Sequence, residues 1–357
     1  MARRLTGGTH VMLGQVVQRQ GVRALWFLIP VCFLVASACA PAGDAVLVSG
    51  VPVPPTTAPK FFPLTGLPVT DAALAGRPAI TVKIENSAAS RPQAGLDKAD
   101  VVVEAVVEGG QTRFLAIFQS TDASQAGPVR SVRPSDPAIV SPFGGIVAYS
   151  GGIPRFVSAM KATGLVNVDE DSPGGALLRR RDKVAPHNLY TSTPALYAKA
   201  GSAKAPPQFA SFLRPDVPYA PVGAVPVLGL TLAIGSATTA GYDWDAVTKT
   251  WKRTTDGRAF VVEGGNQVAP TNVIVQFVPY EAVGEVDTTG APVSEAKVIG
   301  TGSAVIFANG TMLAARWSKP SMTAMTAYTD AAGQPIQLPP GRTWVELPAL
   351  GAVLTTR

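Results

Sequence analysis

The side chains that carry most protein chemistry are scarce in this sequence. Its 357 residues include two cysteines, Cys32 and Cys39, and two histidines, His10 and His187. Both cysteines fall in or at the end of an N-terminal leader, so the folded part has no thiol. Disulfides, cysteine-ligated zinc and cysteine nucleophiles are therefore excluded, and no disulfide-linked partner is expected.

Long apolar runs are also scarce, and the one that stands out extends from Ala24 to Ala38. A membrane-spanning helix needs roughly 20 apolar residues, whereas this run is shorter, contains Pro30 and has no basic flank after it. Four arginines and no acidic residue precede it, which is typical of an export signal. Residues 1–38 are therefore predicted to be a signal peptide that starts at Met1 or Met12.

The end of this segment, "VASAC", resembles the lipobox of bacterial lipoproteins, where a cysteine after small residues is lipidated. The sequence predicts cleavage before Cys39, a lipid on Cys39, and a membrane partner at the outer face of the cytoplasmic membrane. Ordinary secretion and an uncleaved anchor are the alternatives. Loss of four arginines lowers the formal net charge from +6 to +2, which argues against nucleic acid as a partner.

Composition divides the rest of the chain. Residues 39–62 are rich in Pro, Thr and Ala and predict an extended tether. Residues 63–213 are predicted to form a mixed domain of the α/β or α+β class. Residues 214–226, "RPDVPYAPVGAVP", predict a linker, and residues 227–357 a smaller, mostly antiparallel β-rich domain. The sequence leaves open whether the two halves pack as one unit.

Apolar periodicity gives the local structure. It predicts strands at "AITVKIE", "VVVEAVV", "RFLAIFQ" and "GIVAYS", and short helices at "DPAIVSPF", "PRFVSAMKATG" and "TPALYAKAGS". Hairpin turns are expected at Gly109-Gly110 and Asn309-Gly310. The four tryptophans of the β-rich part are expected in its core rather than on a sugar-stacking surface.

Several motifs occur in a fixed order: "GLDKADVVVEAVVEGGQTRFLAIFQS", "GPVRSVRP", "APHNLYTS", "NVIVQFV" and "PPGRTWVEL". Together they resemble the YerB-like family of bacterial lipoproteins, domain of unknown function 3048, from about Pro63 to the C-terminus. The resemblance implies an N-terminal part followed by a smaller C-terminal part. It implies no biochemical activity, because the family has none established.

His187 lies in a polar loop, "RRRDKVAPHNLYTSTPAL", ahead of a predicted helix. Because imidazole titrates near neutral pH, His187 is a candidate general base or ligand-binding group. The alternative is structural: the ring of His187 and the amide of Asn188 would hold the loop through hydrogen bonds.

Arg130 and Arg133 are three residues apart in "GPVRSVRPSD". Two guanidinium groups at this spacing could clamp a carboxylate or a phosphate. The alternative is an internal network, in which they pair with Glu104, Glu108 or Asp136 and lock the fold.

Glu104 lies inside an apolar strand pattern, where a carboxylate needs a partner. The simplest partners are Arg113 and the arginines of "GPVRSVRP", although Glu104 could equally form the floor of a pocket. Glu104 and Glu108 would lie about 13 Å apart along a strand, too far for the carboxylate pair of a glycosidase.

Two strand ends complete the candidate site. Glu85 and Asn86 close the first strand, where ligands often meet such folds, although Asn86 could simply close the loop. Ser150 precedes two glycines and a helix, but the G-x-S-x-G frame of a nucleophile elbow is missing. A hydrolase pair of Ser150 and His187 is an alternative.

These observations lead to one set of candidates. The ligand-binding candidates are Glu85, Asn86, Glu104, Arg113, Arg130, Arg133, His187 and Asn188, and the catalytic candidates are His187, Glu104 and Ser150. No metal site and no cofactor is expected. We expect a binding or accessory protein of the cell envelope that recognises an anionic ligand. The alternatives are a hydrolase of an envelope polymer and a structural partner of another envelope protein.

Overall fold

A computed structural model describes residues 61–357. The predicted signal peptide, Cys39 and most of the predicted tether lie outside these residues. The described residues belong to one compact unit. Phe61 and Phe62, the last two residues of the predicted tether, are part of it: Phe61 bridges to Pro68, and Phe62 is buried in the core.

The N-terminal half contains seven strands and four short α-helices. The strands are β1 (Ile80–Glu85), β2 (Val101–Val106), β3 (Thr112–Phe118), β4 (Ile146–Ala148), β5 (Val166–Val168), β6 (Leu177–Arg179) and β7 (Leu189–Thr191). The helices are α1 (Ala72–Gly76), α2 (Asp136–Val140), α3 (Pro154–Lys161) and α4 (Thr193–Tyr197). Single 3-10 turns span Ala88–Ser90, Glu108–Gly110 and Ser141–Phe143.

The C-terminal half, as described, is built from strands. They are β8 (Val225–Pro226), β9 (Gly229–Gly235), β10 (Thr238–Asp245), β11 (Thr250–Thr255), β12 (Arg258–Ala259), β13 (Asn272–Gln276), β14 (Tyr280–Val286), β15 (Pro292–Ala296), β16 (Gly300–Ala308), β17 (Thr311–Lys319), β18 (Ala327–Thr329), β19 (Thr343–Leu347) and β20 (Leu354–Thr356). None of the helices in residues 61–357 has the length and hydropathy that a bilayer span requires.

One 11-stranded sheet runs through both halves. Its strand order is β18-β17-β16-β13-β19-β2-β3-β1-β4-β5, and β8 pairs with β17. Strand β19 lies between β13 and β2 and is parallel to both, so that Val345 pairs with Ile274 on one side and Val103 on the other. Because β19 comes from the C-terminal half and β2 from the N-terminal half, the two halves share this sheet.

Both faces of the large sheet are covered. A five-stranded sheet, β12-β11-β10-β9-β20, packs on one face, where Trp251 contacts Phe307 and where Phe260, next to β12, contacts Trp344 edge to face. Helices α2 and α3 pack on the other face. Strands buried on both faces read as continuous apolar runs, which explains sequences such as "NVIVQ". Of the four tryptophans expected in the core, Trp251, Trp317 and Trp344 are buried, and Trp244 is partly buried against it.

Helices contribute less than the sequence predicts. The predicted strands and helices of the N-terminal half are present, but the four α-helices are only 5 to 8 residues long. One β–α–β unit is formed by β4, α3 and β5, which are joined by parallel pairing of β4 with β5. The chain is therefore sheet-rich, and the mixed α/β character is limited because most helical stretches form little more than a turn.

Both predicted hairpins are confirmed. Strands β2 and β3 are antiparallel across Gly109 and Gly110. Strands β16 and β17 meet at Asn309 and Gly310, whose φ angles are 48° and 71°. Two successive positive φ values are the requirement of a type I′ turn, which Asn-Gly meets at low cost.

A chain that ends at Ala224 should not fold cooperatively. The truncation removes β19 and the five-stranded sheet, which opens the edge of β2 and exposes the apolar face around Val102 and Phe114. We expect it to lack the cooperative urea transition and the near-UV circular dichroism of the full chain. A native-like transition in the truncated chain would contradict a shared core.

Candidate functional site

The side chains of Glu85, Arg130 and His187 meet at the end of β1. The segment that ends in Arg130 lies between β1 and β7: the Glu85 amide donates to Pro128 O at 3.0 Å, and the Val129 amide donates to the carbonyl at the start of β7 at 2.6 Å. His187 lies two residues before β7. Three segments distant in sequence are thereby held side by side.

Glu85 is the centre of this contact. Its Oε2 lies 2.8 Å from His187 Nδ1 and 3.4 Å from Arg130 Nε, and its Oε1 accepts a 2.9 Å hydrogen bond from Ser87. The side chains of His187 and Arg130 are each 25% exposed, against 7% for Glu85. Despite its closeness to Glu85, Arg130 Nε is buried without a hydrogen-bond partner among the described residues.

Arg113 adds a second guanidinium beside this group. It pairs with Glu85 across the β1–β3 ladder, is partly exposed, and donates from Nη1 to Ser131 O at 2.8 Å. Burial, and then the charge of Arg133, lower the pKa of Arg113 to about 10, so it stays charged at neutral pH. The hydroxyls of Ser131 and Ser150 lie 3.4 Å apart.

Arg133 is held by contacts within the fold. Its guanidinium donates hydrogen bonds to both carboxylate oxygens of Glu108, with Nη2 to Oε2 at 2.8 Å. The buried pair of Lys83 and Asp136 is joined at 2.7 Å, and Asp136 also accepts from the Arg133 amide at 2.8 Å. The internal-network alternative therefore describes Arg133, whereas Arg130 remains at the surface.

Glu104 and Asn86 lie in a separate, fully buried network. Asn86 donates to Glu104 at 3.1 Å, and Thr112 donates to the same oxygen at 2.6 Å. The charged partner of Glu104 is Arg253, from β11 of the C-terminal half, and both side chains are 0% exposed. The expectation that Arg113 or a "GPVRSVRP" arginine pairs with Glu104 is wrong, because Glu104 faces the five-stranded sheet.

A second carboxylate joins this network. Glu346 of β19 is directly beside Glu104 in the ladder, and its Oε1 lies 3.8 Å from Arg253 and accepts from the Tyr242 hydroxyl. Burial, and then the Glu104 carboxylate, raise the pKa of Glu346 well above its usual range. Glu346 is also farther from Arg253 than Glu104 is, and its Oε2 has no hydrogen-bond partner among the described residues, so the proton stays on Glu346.

Asn188 is engaged within the β6–β7 hairpin. Its Oδ1 accepts from Arg179 at 2.8 Å and its Nδ2 donates to Arg180 O at 3.3 Å. The structure thus brings together Glu85, Arg113, Arg130 and His187, with Ser150 beside them. It places Glu104, Asn86, Arg133 and Asn188 in contacts within the fold.

Sequence reasoning missed Arg253 and Glu346. Both carried a usable signal: "TWVEL" sets a carboxylate in an apolar run just as "VVVEAVV" does, and "TWKRTT" alternates so that Trp251 and Arg253 share a face. The sequence pattern did not show that Arg253 pairs with Glu104, because these two residues come from opposite halves of the chain. Within residues 61–357, no group of three or more His, Cys, Asp or Glu side chains is arranged to hold a metal ion.

Replacing Arg253 by Met should lower the free energy of unfolding by about 3–5 kcal/mol, because it leaves a buried carboxylate without its cation. Urea unfolding of the full chain measures the effect. The exposed Arg258→Met is the matched control and should stay within about 0.5 kcal/mol of the parent. Adding Glu104→Gln to Arg253→Met should recover part of the loss. Equal losses for Arg253→Met and Arg258→Met would show that the network is not the cause.

Glu346→Gln should change how stability depends on pH. The pKa of Glu346 is higher in the folded chain than in the unfolded chain. Between these two pKa values only the unfolded chain releases the proton, so Glu346 lowers the free energy of unfolding as pH rises. The variant cannot ionise, so its unfolding free energy should match the parent near pH 4 and exceed it by about 1 kcal/mol or more at pH 8. Urea unfolding from pH 4 to 8 tests this, with exposed Glu281→Gln as control. Parallel curves for parent and Glu346→Gln would refute it.

Comparison with known proteins agrees with this architecture. The chain is 39% identical over 140 residues to a Bacillus subtilis (strain 168) protein named "Putative lipoprotein YerB", and the match covers 39% of this chain and 42% of that protein. The matched part is thus under half of that relative's length. The crystal structure of the YerB protein from Bacillus subtilis superposes with a TM-score of 0.70 at 25% identity, covering 83% of this chain and 99% of that one.

Two family models also match in sequence order. Residues 64–206 match the N-terminal domain, and residues 230–345 the C-terminal domain, of the family described as protein of unknown function (DUF3048). Together they cover most of the chain and both halves of the shared sheet. The chain therefore belongs to the YerB-like DUF3048 family.

Proposed function

We propose that this chain is an exported, lipid-anchored protein of the cell envelope that binds an anionic ligand at the cluster of Glu85, Arg113, Arg130 and His187. The lipobox at Cys39 and the name of the Bacillus relative support the anchor. An anchor at this cysteine puts the folded unit on the outer face of the cytoplasmic membrane. The ligand would then be a carboxylate or phosphate group of that compartment.

One observation carries the binding proposal: Arg130 Nε is a buried donor without a hydrogen-bond partner in a cluster with surplus positive charge. Arg113 and Arg130 lie near the carboxylate of Glu85, which His187 also contacts, and the nearby Glu108 is already paired with Arg133. A buried donor without a hydrogen bond costs about 1–3 kcal/mol of stability, and the 3.4 Å ion contact with Glu85 offsets part of this cost. A ligand oxygen at this position would remove that cost and balance the second guanidinium.

The neighbourhood suits an oxyanion in two further ways. Ser131 and Ser150, whose backbones contact Arg113 and Arg130, add two hydroxyl donors to this part of the surface. The Arg130 backbone is fixed from both sides, since its amide donates to Lys83 O at 2.9 Å and its carbonyl accepts from the Ser150 amide at 3.1 Å. A clamp whose backbone is held in advance loses less entropy on binding.

Arg130→Gln should weaken anion binding by about 10- to 100-fold, the value of one lost charge-assisted hydrogen bond. Glu85→Gln should strengthen it, because it removes the carboxylate that competes for Arg130. Calorimetric titration of the full chain in uncharged lipid nanodiscs with glycerol 3-phosphate and with acetate measures both effects and separates phosphate from carboxylate ligands.

The matched control is Arg179→Gln, which removes the same charge from an exposed arginine paired with Glu170. It should leave the dissociation constants unchanged. Equal weakening of binding by Arg130→Gln and Arg179→Gln would show that the effect comes from the net charge of the chain and not from the cluster. The absence of binding to both probes would refute the proposed ligand class.

Acid–base catalysis by His187 is the second candidate function. The observation that favours it is the 2.8 Å contact of Nδ1 with Glu85, the arrangement by which a carboxylate orients a histidine base. Ser150 is hydrogen-bonded to Ser131 instead of to this ring. Phosphate release from glycerol 3-phosphate by the parent and not by His187→Gln would favour catalysis, whereas binding without release would leave the first proposal alone.

A further inference from the structure

A small cavity between the large sheet and α2 contains one cation. The cavity has a volume of about 40 Å³ and lies among apolar side chains of both halves. Its lining includes Val103, Ile139, Phe143, Val298, Val345 and Leu347. The cation is Lys319, the last residue of β17, which is 2% exposed.

The ammonium group of Lys319 is only partly satisfied by the protein. It donates to Met322 O at 3.1 Å and to Ala324 O. An ammonium has three donors, and the third has no acceptor among residues 61–357. Lys83 shows the contrast within the same molecule, because this equally buried lysine is paired with Asp136 at 2.7 Å.

Among residues 61–357, no acidic side chain lines the cavity around Lys319. Burial alone lowers its pKa to about 8, so most of the ammonium is still protonated at neutral pH. Tyr328 is the one other titratable group that lines the cavity. Its hydroxyl donates to Gln276 at 2.7 Å, and burial raises its pKa above the usual range, so it stays neutral. A buried cation without a counter-charge is costly unless something else neutralises it.

The cavity adjoins a cleft that is lined by both apolar and polar residues. The cleft has a volume of about 270 Å³ and shares Phe209, Met325, Thr326 and Tyr328 with the cavity. It adds Ile336 and Leu338, whereas Lys319 lines the inner cavity only. The charge therefore lies in the cavity, and the cleft adds further apolar side chains beside it.

We propose that the cavity and its cleft bind a monoanionic carboxylate with a short alkyl tail, its head group against Lys319 and its tail in the cleft. The size is compatible with a carboxylate, because about 40 Å³ is a few times the roughly 10–15 Å³ that a cavity needs to hold one water molecule. The single cation matches a single negative charge. Apolar and adaptable side chains such as Met325 suit an alkyl tail. This site is separate from the Arg130 cluster and does not depend on the function proposed there.

The test is equilibrium dialysis of hexanoate and of hexan-1-ol, which share chain length and differ in charge, against the full chain in uncharged lipid nanodiscs. The parent should bind hexanoate about tenfold or more tightly than hexan-1-ol, and Lys319→Met should lose this preference. Because the same nanodiscs carry parent and variant, the difference between them removes partition into the bilayer.

Two further variants keep the result interpretable. Lys204→Met removes an exposed lysine and should leave hexanoate binding unchanged. Ala138→Leu fills the cavity while retaining Lys319, and should weaken hexanoate binding although the charge is still present. Urea unfolding of each variant confirms that it folds; Lys319→Met replaces an ammonium by an apolar group of similar length and should unfold at the same or a higher urea concentration.

Equal binding of hexanoate by the parent and Lys319→Met would overturn the proposal, and so would equal affinity of the parent for hexanoate and hexan-1-ol. Lys319 would then be a structural clamp for the Met322 and Ala324 carbonyls, with a water molecule as the third partner. A hexanoate preference that is retained in Ala138→Leu would also overturn it, because the ligand would lie elsewhere.

Discussion

The placement of β19 between β13 and β2 is the constraint on which the rest of the structure depends. It sets Glu346 beside Glu104, and Arg253 from the five-stranded sheet lies against both. A slip of β19 by one residue would turn Glu346 to the opposite face of the sheet. Arg253 would then lose one of its two neighbouring carboxylates. We infer that this network specifies the register of β19 as well as contributing to stability.

The same constraint divides the polar residues of the N-terminal half into two groups. One face of the large sheet takes Glu104 and Asn86 into the interface with the five-stranded sheet. Glu85, Arg113 and Arg130 lie at the same end of the β1–β3 pair but on the opposite face, near the ion pair of Arg133 and Glu108. The surface cluster is thus built on strands that are fixed by the core.

Much of the fold could be predicted from sequence, because strand and helix periodicity is local. The β2–β3 hairpin and the Asn309-Gly310 turn follow from a few adjacent residues. The burial of Glu104 also followed from its apolar neighbours, but its partner Arg253 did not, since 149 residues separate them. For the same reason the contact of His187 with Glu85, 102 residues away, was beyond local patterns. Sequence identified which side chains needed partners and could not select them.

Two lysines show what folding alone explains. Lys83 and Lys319 are both buried, and each would be expensive as an isolated charge. The pairing of Lys83 with Asp136 accounts for it, since the two charges satisfy each other inside the scaffold. Lys319 has two carbonyls, no described carboxylate and a cavity at its third donor. Apolar residues of similar volume usually stabilise such positions, so stability alone does not account for a lysine here.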